Sequence, residues 1–171
     1  ARLLVVDPRH TRLARAADVH LQIRLGTDIP LINGMIRLIF ENGWEDARFL
    51  AERCEGVAEL RGSVADFTLE RVATTTGVDA ELILEATRTY ATTRRAALAY
   101  CLGVTQHVCG TENVIALSNL ALVTGHVGVE AAGINPLRGQ NNVQGACDMG
   151  ALPFHYPGYM RVDNEDNARK W

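Results

Sequence analysis

Residues 3–6 form an unbroken apolar run that stops at Asp7-Pro8, where proline removes the next ladder donor. Such a run predicts a buried strand with helices on both faces. An Ala-rich helix is expected over 11–17. Val19, Leu21, Ile23 and Leu25 then alternate with His20, Gln22 and Arg24, the period of a strand with one buried face, and the pattern ends at Gly26. Thr27 or Asp28 is placed to cap a helix, Pro30 suits its first turn, and Asn42-Gly43 closes it. Between Pro30 and Asn42 only Asn33, Arg37 and Glu41 are polar, four residues apart, so one thin stripe meets water and the rest is core.

The stretch 46–93 is charged and helical in period, with expected breaks at Gly56, Gly62 and Gly77. Asp79 can cap a helix in which Leu82, Ala86 and Tyr90 share a face. An uncharged strand follows at 96–102, then a loop over 103–107, then a helix over 111–124 lined by Val114, Ile115, Leu117, Leu120 and Ala121. Beyond Gly125 glycine, proline and amides replace the helical period. Strands separated by helices predict an α/β fold: a parallel sheet flanked by helices, a dinucleotide-binding-like three-layer domain with ligands at the carboxyl ends of the strands. The junctions to inspect are therefore Asp7-Pro8-Arg9, Gly26-Thr27-Asp28 and Gly103 to Gln106.

With 171 residues, 47% of them hydrophobic, the chain is long enough to bury a core without disulfide or metal. Its 17 basic and 20 acidic residues argue against a partner nucleic acid. The longest uncharged run, 113–129, is too short and polar for a membrane span. Cys54, Cys101, Cys109 and Cys147 form no Cys-x-x-Cys pair and suit reduced thiols in a cytoplasmic protein; a metal site using Cys101 and Cys109 lacks usual spacing. The first residue is not Met and a strand begins almost at once, which points to a piece of a longer polypeptide. Only Glu112, Glu130, Arg138 and Asp148 are charged between Ala96 and Met160, so that half is expected to be buried or covered by another domain or a large ligand.

Asp7 falls where dinucleotide-binding folds place an acid on ribose hydroxyls, and Arg9 can stack on a base or neutralise a phosphate; the same residues also suit an Asp-Pro turn with a surface arginine. Asp28 is either a helix cap or an acceptor for the ring N–H and exocyclic amine of guanine. Neither G-x-G-x-x-G nor G-x-x-x-x-G-K-[ST] occurs, which counts against an ordinary nicotinamide-dependent dehydrogenase. In the segment 135–145 five side-chain amides surround Arg138, with Gly139 and Gly145 permitting close backbone approach. A lone guanidinium offers a planar fork to a carboxylate or phosphate; the other reading is a polar loop whose amides satisfy their own backbone. His107 and His126 lie in the uncharged half and suit packing more than ligation.

These residues together resemble the catalytic subunits of molybdenum- or tungsten-dependent formate dehydrogenases, within the molybdopterin oxidoreductase family. The resemblance runs through Val5-Val6-Asp7-Pro8-Arg9, Ala17-Asp18-Val19-His20, Gly26-Thr27-Asp28, Gly103-Val104-Thr105-Gln106, Ser118-Asn119-Leu120-Ala121 and Thr124-Gly125. It ends on residues 135–145 and Cys147-Asp148-Met149-Gly150, the part most typical of formate dehydrogenases. It implies a metal held by two pyranopterin guanine dinucleotides, formate as substrate, and electrons passed to iron–sulfur clusters and electron-transfer subunits. By the same likeness Asp7, Arg9, Gly26 and Asp28 contact the guanosine end of one molybdopterin guanine dinucleotide, and Gly103 and Gln106 lie nearer the pterin. Arg138 resembles the arginine that orients formate in that family, with Gln140 beside it. Residues 1–137 would be most of the dinucleotide-binding domain and 138–171 the start of a return into a neighbouring domain. The family's cysteine cluster, its cysteine or selenocysteine metal ligand and the adjoining histidine are not in this sequence, so the chain alone is expected to be inactive. His126 stands where many relatives have asparagine. The competing reading is a non-catalytic α/β ligand-binding or scaffolding module.

Overall fold

The apolar run and the alternating segment become strands β1 (Leu4–Val6) and β2 (Val19–Leu21), joined by helix α1 (Arg12–Ala16). The two strands are parallel, with Leu4 opposite Val19 and Val6 opposite Leu21. The computed structural model describes residues 1–171 in two units, 1–135 and 136–171. In the first unit Thr11 caps α1, its hydroxyl accepting the Ala14 N–H at 3.1 Å. Covering on both faces is not observed for β1: Val5 is buried but Val6 is 50% exposed. In β2 the expected alternation holds through Val19, Leu21 and Ile23, all buried, and then fails at Leu25, which is 81% exposed. The ladder ends because the Ile23 N–H turns back to Leu21 O and the Arg24 N–H goes to Thr76 O.

Helix α2 (Asp28–Asn42) is the centre of the core, closed by Gly43 in the left-handed region. Ile36 and Ile39 are fully buried, while Asn33, Arg37 and Glu41 form the anticipated stripe toward water. Four helices follow: α3 (Ala47–Arg53), α4 (Val57–Ser63), α5 (Leu69–Thr76) and α6 (Ala80–Thr92). Asp46, Thr68 and Asp79 cap α3, α5 and α6 through their side chains. Gly56 and Gly77 mark breaks as expected, but Gly62 lies inside α4. The buried face of α6 is Ile83, Ala86, Thr87 and Tyr90, and Leu82 is 39% exposed. Residues at i and i+8 drift apart around a helix, so the inward stripe runs through i, i+3, i+4 and i+7 from Ile83.

Strand β3 (Ala97–Tyr100) leads into a short helix α7 (Leu102–Thr105), where a loop was expected, and then into α8 (Gly110–Val123). Asn113, Ala116, Leu117, Leu120 and Ala121 are buried on α8, whereas Ile115 is exposed on the opposite side. β3 pairs with β4 (Gly133–Pro136), not with β1 or β2. The fold is therefore mixed α/β with a two-stranded parallel sheet, and the single sheet with three junctions along one edge does not form. The core packs α2 against α5, α6 and α8, and β2 against α6.

The second unit holds α9 (Val143–Asp148), a hairpin of β5 (His155–Tyr156) and β6 (Met160–Arg161) around a 3-10 turn, and α10 (Glu165–Lys170). β5 and β6 are antiparallel, His155 opposite Arg161. The charge-poor half is only partly buried within this chain: the inner side of α8 joins the core, whereas Leu102, Val108, Ile115, Met149 and Phe154 are exposed. No helix is long and apolar enough to cross a membrane.

Candidate functional site

Asp7 directly follows β1 at the carboxyl end of the parallel pair, and the Gly26–Asp28 turn follows β2 after four further residues that have left the ladder. The Asp7 N–H continues the ladder to Leu21 O at 3.3 Å. Its carboxylate Oδ1 accepts the Arg9 N–H at 2.7 Å, an Asx turn that fixes the carboxylate against its own loop. The Arg9 side chain is 82% exposed and lies 3.8 Å from the same oxygen, a loose pair that leaves the guanidinium free to reorient.

On the second loop, Arg24 O accepts both the Thr27 N–H at 3.3 Å and the Thr27 hydroxyl at 2.7 Å. This closes a turn in which Gly26 sits at φ +77°, where a side chain would be strained, and a Cβ there would meet open space. The Thr27 hydroxyl donates to Arg24 and its oxygen accepts no capping bond from α2. The first N–H groups of α2 thus lack the usual side-chain acceptor, and half-buried Asp28 opens the helix beside them. Arg24 anchors this loop from behind, its guanidinium donating to Thr74 O at 2.8 Å and to Thr75 O at 3.4 Å at the end of α5.

Residues 103–106 do not share that edge, since β3 belongs to a different sheet. Gly103 lies in α7 and Gln106 caps it, its N–H bonded to Leu102 O at 2.9 Å; both residues are exposed. The segment is held by Asn113, almost wholly buried, whose Nδ2 donates to Val104 O at 2.9 Å. A Cβ on Gly110 would run into the Thr105 carbonyl, so glycine there lets α7 seat on the start of α8.

Arg138 and Gln140 lie in the second unit, within a stretch 137–142 in which every residue is exposed. The residues flanking Arg138 leave it open to water. His126 is 3% exposed, its Nε2 within 3.1 Å of Tyr90 O and its ring edge-on to the Tyr90 ring at 5.1 Å: a packing residue. His107 Nε2 is bonded to Gly103 O at 2.9 Å. No three His, Cys, Asp or Glu side chains come together as a metal cage. A cleft of about 320 Å³ between α3, α4 and α8, lined by Leu50, Cys54, Leu60 and Asn119, includes none of the residues assigned from the sequence to cofactor or formate.

A model of the molybdopterin oxidoreductase family matches residues 1–170. The chain belongs to this family. Among curated relatives, it is 48% identical over 161 residues to the alpha subunit of formate dehydrogenase 2 of Methanococcus maripaludis, covering 94% of this chain and 24% of that one. It is 47% identical over 171 residues to formate dehydrogenase H of Escherichia coli, covering 100% of this chain and 24% of that one. Among solved structures, acetylene hydratase from Pelobacter acetylenicus superposes with a TM-score of 0.73 at 32% identity, over 76% of this chain and 18% of the other. This molybdopterin oxidoreductase chain therefore spans about a quarter of the length of those two curated relatives.

The residues at the strand ends fit the guanosine part of a molybdopterin guanine dinucleotide. Guanine and ribose present N–H and O–H donors, and Asp7 and Asp28 present carboxylate acceptors. Open space above Gly26 and uncapped N–H groups on α2 suit a close, anionic ligand. The sequence alone missed the rear anchors: Arg24 on α5, and His20 and Gln22, which reach Asp7 O and Pro8 O at 2.9 and 3.0 Å. The polar alternation on β2 was the available signal for the latter two.

Proposed function

We propose that this chain is part of a formate dehydrogenase catalytic subunit and receives the guanosine end of one of its two molybdopterin guanine dinucleotides. The observation that supports the reading is the Asp7 carboxylate at the carboxyl end of a parallel β pair, with the chain leaving the second strand through a glycine turn open to solvent into Asp28 at the start of α2. Asp7 accepts from ribose hydroxyls, Asp28 accepts from the guanine ring N–H and amine, and Arg9 stacks on the base or neutralises a phosphate. Gly26 permits close backbone approach. Gly103 and Gln106 serve the pterin side.

The bound molybdenum or tungsten centre supplies the two-electron redox chemistry, with formate losing one proton and two electrons to become carbon dioxide and the electrons passing to iron–sulfur clusters and electron-transfer subunits. Arg138 holds the formate carboxylate in its planar fork, with Gln140 beside it, and the remaining domains of the polypeptide exclude water around that exposed segment. Membership of the family does not fix the reaction, since a solved neighbour is named a hydratase. Identity of 47–48% to formate dehydrogenases over nearly the whole chain favours formate. The enzyme is cytoplasmic, with no membrane contact by this chain.

The test is metal and cofactor analysis of the full-length protein together with formate oxidation. Molybdenum or tungsten with two guanine nucleotides per metal and formate-dependent dye reduction supports the reading. Absence of metal and pterin, or loaded enzyme inert toward formate, overturns it.

A further inference from the structure

The loop that carries Asp7 is held from β2 by side chains. His20 Nε2 donates to the Asp7 carbonyl at 2.9 Å, since a carbonyl can only accept, and Gln22 Nε2 donates to the Pro8 carbonyl at 3.0 Å. The two donors are two residues apart and therefore on one face, while Val19, Leu21 and Ile23 on the other face are buried and hold their backbone still. The His10 ring packs edge-on against His20 with centroids 5.0 Å apart. Pro8 has no N–H of its own to anchor the loop.

We propose that His20 and Gln22 are positioning residues for nucleotide recognition. They clamp successive carbonyls of the 7–9 loop, so that the Asx turn between Asp7 and Arg9 forms before the ligand arrives and the Asp7 carboxylate is presented ready-made. This rests on the reading that Asp7 binds the guanosine end. A loop ordered in advance loses little freedom on binding, and each clamp removed should weaken retention by about two- to tenfold.

The experiment compares holoenzyme carrying His20→Leu, Gln22→Met, His20→Gln or Asp7→Ala with the unaltered enzyme. Two quantities are read: guanine nucleotide retained per polypeptide after extended dilution, measured as GMP released by acid, and hydrogen exchange of the Arg9 amide. His20→Leu and Gln22→Met should each lose nucleotide about two- to tenfold faster and expose the Arg9 amide. His20→Gln, which restores a donor near Nε2, should recover both. Gln22 is exposed, so Gln22→Met leaves the core intact and decides the matter if His20→Leu fails to fold. If Asp7→Ala sheds nucleotide while Gln22→Met retains it with an unchanged Arg9 amide, the clamps do not position the site. If Asp7→Ala itself retains nucleotide normally, the underlying reading fails instead.

Discussion

Replacing Gly34 by alanine should loosen the packing on which the first loop of α2 depends. A Cβ at position 34 would lie 2.6 Å from Val72 Cγ2 and 3.1 Å from Cγ1, and Val72 is 1% exposed on α5. Ordinary carbon contacts are about 3.5–4.0 Å, so roughly 1 Å must be found between two packed helices. Overpacking of this kind costs about 1–3 kcal/mol, offset by up to about 1 kcal/mol because alanine favours a helix over glycine. A net loss centred on about 1.5 kcal/mol follows, and the α2 amides should exchange with solvent roughly tenfold faster. Val72→Ala alone should also destabilise, by about 1–3 kcal/mol. Combined with Gly34→Ala it should cost less than the sum by about 1 kcal/mol, because the new methyl occupies the space vacated. Hydrogen exchange read peptide by peptide in the natural polypeptide separates α2 from other regions. Unchanged or slower α2 exchange in Gly34→Ala, or strict additivity in the double variant, would refute the α2–α5 geometry.

Burial pushes the Tyr90 phenol up to about 12, partly countered by the nearby Thr124 hydroxyl, and its oxygen lacks a well-formed hydrogen bond. Between pH 10 and 12 the unfolded chain loses this proton while the folded one largely keeps it, so stability should fall there by about 2 kcal/mol. Tyr90→Phe should abolish that slope and change neutral-pH stability by no more than about 1 kcal/mol; an unaltered alkaline profile in denaturant titrations counts against it. Arg138→Ala in the full enzyme should lose most formate turnover while metal and pterin content, measured on the same sample, stay constant; retained turnover removes the arginine from the substrate site. The 171-residue chain expressed alone should self-associate or enhance the fluorescence of a hydrophobic dye, because Leu25, Val108, Met149 and Phe154 are exposed. A dye-negative monomer by sedimentation contradicts that.

Helix α2 was legible because its polar positions recur every four residues and both of its ends carry terminator chemistry, Thr27-Asp28 and Gly43. The strand that follows α1 was legible for a similar reason, since alternation fixes which side is buried. Its end was not: Arg24 leaves the ladder for Thr76 O and the α5 carbonyls, partners more than 45 residues away that no local pattern announces. The same holds for Ile115 and Leu82, apolar residues whose exposure depends on which side of each helix faces α2. On α8 the apolar residues come in two consecutive runs, 114–117 and 120–123, which reach round the helix, so periodicity carries little information. Asp7, Gly26 and Asp28 were singled out because strand ends tell where to look, whereas the pairing of β3 with β4, which takes Gly103 and Gln106 to another sheet, is a long-range choice. Arg138 stood out by isolation in charge, a signal about chemistry that says nothing of what covers it.

The central claim is that the carboxylates at the β1 and β2 ends recognise guanosine, and Asp28→Asn tests it most directly. The substitution keeps shape and helix but replaces one acceptor oxygen with a donor, which would face the guanine N–H groups. GMP released by acid, counted per polypeptide in the purified full-length enzyme, should fall well below that of the unaltered protein while the amides of α2 remain protected. Equal GMP in the two proteins, with the fold intact in both, would contradict the assignment of this edge as the nucleotide site.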